Sequence, residues 1–565
     1  MQSIYKDACM LCIADVSDDR DFLTIKSRVE HEGISFLTIT LPNFARDFER
    51  SLALGFVDST CFPGFERISI LNSNAKKEHG AIPVFLQGML SLLFNKESGK
   101  YEQDSPSGYN VASIVSCVRQ ICRAFNKLQL SCTPEREQDA IRSFSSIERD
   151  FSSFHLSGED RREFDDISSL IWDNLMFGIN HHEFIPRHGP GKTADGRTGN
   201  QKFRWRLWHQ RLEPYFPIVD SAFSIGAIGS QELEEVNVVA SGSEQPVKVV
   251  LVPKTLKSPR VIAIEPCCMQ YAQQGIRGIL YDRLESYWLT AGHVNFRDQS
   301  INQRLALTAS KNGLLSTVDL SEASDRVPRS LALDMFRANP DLQDSIDSCR
   351  STHAKLPDGT IIGPLEKFAS MGSALCFPVE SMYFYTICVA ALLKSTGLPR
   401  NHESVFRVSR DVYVYGDDLI IPTKHANVVL EYLQKYNCKV NNSKTFVSGN
   451  FRESCGLDAF DGEVVTPTYI RQVPPRHKRD VSQIISLVET ANLFYRKGYW
   501  STSSTLFKFV ERLLGPLPWG PRDSGYLCRE SFQDFLSFSR WNEKYQCHEV
   551  RAWVPEPVYR TDELD

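Results

Sequence analysis

Two adjacent carboxylates close the tetrapeptide Tyr415-Gly416-Asp417-Asp418, which stands between the apolar runs 412–415 and 419–422. Like charges crowded at one point repel, and a hard cation such as Mg²⁺ relieves them because it prefers oxygen ligands. An ordinary polar turn has the same local composition. A second acidic group, Asp319, follows the apolar run 314–318 and precedes Leu320-Ser321-Glu322-Ala323-Ser324-Asp325. If the two segments are neighbouring strands, three carboxylates meet in a cage able to hold two divalent ions, the arrangement that clamps in-line phosphoryl transfer. Read alone, Asp319 and Ser321 equally suit the cap of a following helix.

Phosphoryl transfer also needs cations around a polyphosphate. Lys248, Lys254, Lys257 and Arg260 lie in a Pro-punctuated stretch without an acid among them. A second basic stretch, 187–211, holds Arg187, Lys192, Arg197, Lys202, Arg204, Arg206 and Arg211 against Asp195, with Phe203, Trp205 and Trp208 interleaved. Cations plus stacking aromatics suit single-stranded nucleic acid. A P-loop is excluded, because Pro186 stands where the first glycine before Gly191-Lys192-Thr193 is required.

The elements that must position these groups follow from periodicity. β-branched and aromatic runs around Gly416-Asp417 predict a hairpin over 412–421, with strands at 314–320 and 444–447. Helical spacing predicts helices at 331–337, 380–393 and 428–436. The class is α+β, with an antiparallel hairpin carrying the acidic tip. At 565 residues, several packed subdomains are expected. A net charge of −5 requires any nucleic-acid surface to be local. Fifteen cysteines and a polar start without a secretory pattern point to free thiols in a reducing cytoplasm. Cys9 and Cys12, a lone CxxC, are expected to be buried thiols. The apolar run 382–393 is shorter than a bilayer span and reads as a core helix.

Taken in order, these blocks resemble the RNA-dependent RNA polymerases, most closely the replicase catalytic subunit of the levivirus-like single-stranded RNA bacteriophages. Val252-Pro253-Lys254 through Ile264-Glu265-Pro266 is similar to motif F, and Asp298-Gln299-Ser300-Ile301-Asn302-Gln303-Arg304 to a phage-replicase hallmark. Asp319 to Asp325 resembles motif A, Ser370-Met371-Gly372 through Glu380-Ser381 motif B, and Tyr415 to Asp418 motif C. Asn442-Ser443-Lys444-Thr445-Phe446 fits motif D; Phe451-Arg452-Glu453-Ser454-Cys455-Gly456 with Thr468-Tyr469-Ile470-Arg471 fits motif E. The resemblance covers roughly 250–472, and seven ordered blocks are far more specific than any one.

It implies a right-hand fold of fingers, palm and thumb, with an antiparallel palm sheet flanked by helices. The implied division is 1–247 for an N-terminal region and fingers, 248–313 for fingers with motif F, 314–472 for the palm with a fingers insertion at about 338–370, and 473–565 for the thumb and C-terminal region. Asp319, Asp417 and Asp418 would hold two Mg²⁺, with Mn²⁺ as a substitute, and Lys444 would be the general acid. Lys254, Lys257 and Arg260 would grip the incoming ribonucleoside triphosphate, with Ser373 beside it. The aspartate usual five residues after Asp319 is Ser324 here, and Asp325 comes one later, so either is expected to read the ribose 2′-hydroxyl. After the motif B methionine the family has Gly-Asn-Gly, whereas this chain has Gly372-Ser373-Ala374. Arg187, Lys192, Arg204, Trp205 and Arg206 are the candidate contacts to template and product RNA. The family also implies host partners, elongation factors Tu and Ts and in some members ribosomal protein S1, in the host cytoplasm and without a membrane. A reverse transcriptase and a non-catalytic RNA-binding subunit are the competing readings. The small Ser324 argues against the first, and the intact carboxylates and cations against the second.

Overall fold

Side-chain caps and prolines set the helix starts in the N-terminal third of the computed structural model, which describes the chain except residues 13–18, 72–76, 103–109, 225, 227, 534–535 and 558–565. After α1 (Gln2–Leu11), α2 (Leu41–Leu54) has proline in its first turn and ends at Gly55 in the left-handed region. Further on, α3 (Val111–Arg123) begins where the Asn110 side chain accepts hydrogen bonds from the Ala112 and Ser113 amides. Pro134 opens α4 (Pro134–Ser153), and Ser157 caps α5 (Gly158–Met176).

The segments carrying the chemistry follow. β1 (Val247–Val252) and β2 (Arg260–Ile264) form an antiparallel hairpin; residues 354–355 add to β1 in parallel, and 361–362 pair beside them. Two helices, α6 (Cys267–Ser286) and α7 (Ser300–Asn312), lead to β3 (Leu315–Val318). Beyond the buried helix α8 (Cys376–Thr396) come β4 (Tyr413–Tyr415) and β5 (Asp418–Pro422). The order β4-β5-β3 makes a three-stranded antiparallel sheet with the two-aspartate strand at its centre. All of β5 after Asp418 is buried, which accounts for its apolar run. Next comes α9 (Ala426–Lys435), packed on α8, followed by β6 (Phe451–Ser454) paired with β7 (Leu457–Phe460), and by α10 (Val481–Arg496) and α11 (Trp500–Leu514).

The architecture is the mixed α+β one expected. Two expectations need correction. Residues 444–447 are no strand: only Phe446 bridges to Thr317, and 442–444 form a turn. The core helix around 382–393 is longer than its apolar run; by length and composition it is apolar enough to cross a membrane, yet 94% of its most apolar window is buried in the protein. Its neighbours α5 and α9 supply that cover. The cysteines are all free, with Cys9 and Cys12 buried as expected.

Two large cores do not follow chain order. One gathers residues from Phe164 to Cys438, including the three-stranded sheet and α8. The other joins Ile4 to Leu128 with Phe446 to Leu527, so that α1 packs on both α3 and α11. Arg119 of α3 is at the heart of this second core, bonded to Glu49 at 2.6 Å, Asp458 at 2.8 Å and the Val465 carbonyl at 2.6 Å.

Candidate active site

The acidic tip is a two-residue hairpin loop, Gly416-Asp417, closed by the pair Tyr415 and Asp418. Gly416 is required twice over. Its φ is +61°, and a Cβ there would stand 2.1 Å from the Phe377 ring. The turn is held from α8, where the Ser381 hydroxyl accepts the Gly416 amide at 3.2 Å. From the other side, α7 supplies a row of amides. Gln299 donates to the Tyr415 hydroxyl at 3.3 Å, Asn302 to the Asp418 carbonyl at 3.4 Å, and Gln303 to the Cys455 carbonyl at 3.0 Å. The Cys455 amide in turn donates to Asp418 Oδ2 at 3.1 Å. Asp298 starts this helix by accepting the Ser300 amide at 2.8 Å.

Asp319 stands where its strand changes partner. β3 pairs with β5 in the register Val318 to Leu419, which continued by one position sets Asp319 opposite Asp418. Residues 320–321 then pair with 439–440 instead. The Asp319 side chain accepts hydrogen bonds from Asn441 at 2.7 Å and from Lys444 Nζ at 3.2 Å. Lys444 Nζ is also 3.6 Å from Glu453 Oε1, on β6.

Electrostatics tie these groups together. Burial, then repulsion from Asp417, Glu453 and Asp319, pushes the Asp418 carboxyl up to about 7. Asp417 is exposed at the tip, yet desolvation by the protein around it and repulsion from Asp319 raise its carboxyl as well. Burial alone would lower the Lys444 ammonium, but Glu453 and Asp319 more than reverse this and hold it raised. Lys254 is lowered by desolvation and by the charges of Arg260 and Lys444, while Asp319 and Asp417 act in the opposite sense. The lysine of the β1–β2 hairpin therefore lies within electrostatic reach of the carboxylates. Lys254, Lys257 and Arg260 are exposed and form no ion pair among the described residues.

The three aspartates thus occupy adjacent strand ends. Among the described residues, however, no three His, Cys, Asp or Glu side chains converge tightly enough to make a ready metal cluster. The Asp319 carboxylate is turned onto Lys444 and Asn441 instead.

The remaining candidates separate. Ser324 is buried, 8% exposed. Asp325 Oδ1 accepts from Ser370 at 2.7 Å and from Lys367 at 3.0 Å. Ser373 donates to Gln273 of α6 at 3.0 Å, so its hydroxyl is already engaged. Next to it Gly372 has φ +132° and no room for a Cβ, which would lie 2.0 Å from the Ala263 carbonyl of β2. Arg187, Lys192, Arg204 and Arg206 are exposed. Trp205 corrects the expectation of a stacking platform: it is 5% exposed, packs edge-on to Trp208 and Tyr271, and donates its indole N–H to the Ala222 carbonyl at 3.2 Å. Trp208 is fully buried, and Phe203 alone of the three aromatics is exposed.

Sequence reasoning missed the scaffold: Gln299, Asn302 and Gln303, the turn-holding Ser381, Glu453 beside Lys444, and Lys367 beside Asp325. The amides, Ser381 and Glu453 are legible as parts of motifs without a role, and Lys367 carries no local signal.

Comparison with known proteins agrees with these blocks. Residues 225–499 match the family described as RNA replicase, beta-chain. The RNA-directed RNA polymerase subunit beta of Qbeta virus (strain MX1) is 39% identical over 313 residues, 54% of this chain and 48% of that protein. The subunit of the same name from Escherichia virus Qbeta is 40% identical over 224 residues, covering 40% of this chain and 35% of that one. The RNA-directed RNA polymerase beta chain of Escherichia phage MS2 is 39% identical over 224 residues, covering 40% and 37%. The chain thus spans less than half the length of each of these relatives. Among solved structures, the RNA-dependent RNA polymerase of a human picorbirnavirus aligns with 12% identity and a TM-score of 0.33, over 47% of this chain and 55% of that one.

Proposed function

We propose that this chain, whose residues 225–499 match the RNA replicase beta-chain family, is an RNA-directed RNA polymerase that copies a single-stranded RNA phage genome. The observation that carries this is the meeting of Asp319, Asp417 and Asp418 at adjacent strand ends, with Lys444 and Lys254 within reach of their charge. The three-stranded sheet reads as the palm, the β1–β2 hairpin as part of the fingers, and α10 and α11 as the thumb.

The carboxylate set fits divalent metal. It offers only oxygen donors, and the upward shifts of Asp417 and Asp418 mark negative charge in need of a counter-ion. Asp319, Asp417 and Asp418 would hold two Mg²⁺, or Mn²⁺ in substitution. Bound there, the ions supply Lewis-acid stabilisation of the attacking and leaving oxygens. The other steps belong to the chain's own side chains. Lys254, Lys257 and Arg260 bind the triphosphate and offset its charge. Lys444 gives a proton from Nζ to the departing pyrophosphate. Arg187, Lys192, Arg204 and Arg206 contact RNA phosphates, and Ser373 keeps the loop beside the nucleotide in place through Gln273. The relatives are named beta subunits, and this chain is read as working with host proteins of the bacterial cytoplasm, elongation factors Tu and Ts and ribosomal protein S1.

The test is incorporation of labelled ribonucleotides on an RNA template with Mg²⁺, with and without those host factors. Asp418→Ala serves as the control. Synthesis that the control loses supports the reading. Firm RNA binding with no synthesis in any mixture would instead support a non-catalytic subunit, and preference for deoxynucleotides a reverse transcriptase.

A further inference from the structure

Lys367 is completely buried, an unusual place for an ammonium group unless it is paired. Its Nζ lies 3.0 Å from Asp325 Oδ1, 3.5 Å from Glu148 Oε1 and 3.6 Å from the centre of the Phe144 ring. Both Glu148 and Phe144 belong to α4, outside the segments that carry the polymerase motifs. The backbone fixes the lysine too. It bridges to Pro328, the Phe368 amide donates to the Val327 carbonyl at 2.8 Å, and the Glu366 amide donates to Glu148 Oε2 at 2.9 Å. The cation is thus braced from both sides of the chain before it meets Asp325.

Its effect falls on one oxygen. Lys367 and Ser370 both donate to Asp325 Oδ1, and Oδ2 accepts no hydrogen bond among the described residues. A carboxylate with one oxygen doubly held cannot swing, so the other points in a set direction as an acceptor. Ser324, the alternative reader of the sugar, is buried beside the Cys376 thiol.

We propose that Lys367 is a positioning residue for sugar selection, fixing Asp325 so that its second oxygen accepts the 2′-hydroxyl of the incoming ribonucleotide, with Glu148 holding Lys367 in place. This rests on the polymerase reading. The 2′-hydroxyl is the feature that separates RNA from DNA precursors, and a site built to bond a hydroxyl rejects the analogue lacking it. Loss of an oriented, charged acceptor weakens that preference on the order of ten-fold.

The experiment compares kcat/KM for a ribonucleotide and its 2′-deoxy analogue on one RNA template, using the full chain with host factors. The variants are Lys367→Met, Ser370→Ala and the double change Glu148→Gln with Lys367→Met. The double change removes the Glu148 charge together with its partner cation, leaving only Asp325 charged, and so tests the idea even where the single lysine variant, which orphans both carboxylates, does not fold. The expected result is a ribo-to-deoxy ratio reduced on the order of ten-fold in the variants lacking Lys367, through the ribonucleotide arm. Equal loss in both arms would reduce Lys367 to structural support, and an unaltered ratio would remove it from sugar selection. Absence of synthesis by the unmodified chain would overturn the polymerase reading itself, a distinguishable failure.

Discussion

Replacing Arg119 with methionine keeps the aliphatic length and removes the guanidinium at the centre of the second core. The side chain is 3% exposed, and so are its partners nearly: Glu49 is 4% and Asp458 6% exposed. Three hydrogen bonds are lost, to Glu49, Asp458 and the Val465 carbonyl, along with the contact of the guanidinium over the Phe451 ring at 4.9 Å. The two carboxylates fare differently. Glu49 keeps Arg123 at 2.5 Å, whereas Asp458 is left without an ion-pair partner among the described residues. Breaking one buried pair costs about 3–5 kcal/mol, and the cover that remains on Glu49 places Arg119→Met near the lower end, about 3 kcal/mol. Urea unfolding followed by tryptophan fluorescence reads this as a lowered midpoint. A chain with two cores can unfold in two steps, so the transition involving α10 and α11 is the one to follow. Adding Asp458→Asn to Arg119→Met removes the orphaned charge and is expected to restore more than half of the loss. A single variant within about 0.5 kcal/mol of the unmodified chain, the range of ordinary surface changes, would refute the reasoning.

Four further outcomes are expected. A carboxyl whose folded pKa is raised loses stability as pH climbs from its unfolded value towards its folded one. The metal-free protein should therefore melt lower at pH 8 than at pH 5, through Asp418 at about 7, and Asp418→Asn should shallow that slope while weakening the stabilisation by Mg²⁺. Gly416→Ala meets both a positive φ and the Phe377 ring at 2.1 Å, and should abolish nucleotide incorporation while circular dichroism and RNA binding persist. Neutralising Arg204 and Arg206 should flatten the salt dependence of RNA binding by about one unit of slope per lost phosphate contact. Trp205→Ala should instead lower stability by about 3–5 kcal/mol, the cost of emptying a buried indole site.

What was legible in the sequence was local. The hairpin expected over 412–421 is found as β4 and β5, because a strand, a two-residue turn and a strand are specified by neighbouring residues. The α8 helix follows from its apolar run in the same way, and the buried Cys9 and Cys12 from a CxxC with no second pair at zinc spacing. Trp205 misled because aromatics among arginines suit either RNA or a core. The alternation of exposed Arg204 and Arg206 with buried Trp205 is a surface-and-core pattern that composition alone does not resolve. Lys444 is expected on a strand, but its segment is held by Asp319, which bonds both Asn441 and Lys444 across more than a hundred residues. Lys367 and Asp325, or Arg119 and Asp458, meet only once the chain has folded. No local periodicity announces such pairs.

The second core has a consequence for how the protein is made. Its residues up to Leu128 leave the ribosome well before their partners, which begin at Phe446. At ~5–20 residues per second, roughly 15–60 s pass between the two. During that interval Phe44 can already pack on Phe62, Phe65 and Phe85, and Arg119 can pair with Glu49, but Asp458, the Val465 carbonyl and the Phe451 ring are not yet there to cover Arg119. This half of the core is thus completed only late, and the face that Phe446 to Leu527 will cover stays open to chaperones, proteases and aggregation while the segments of the candidate site are still being synthesised.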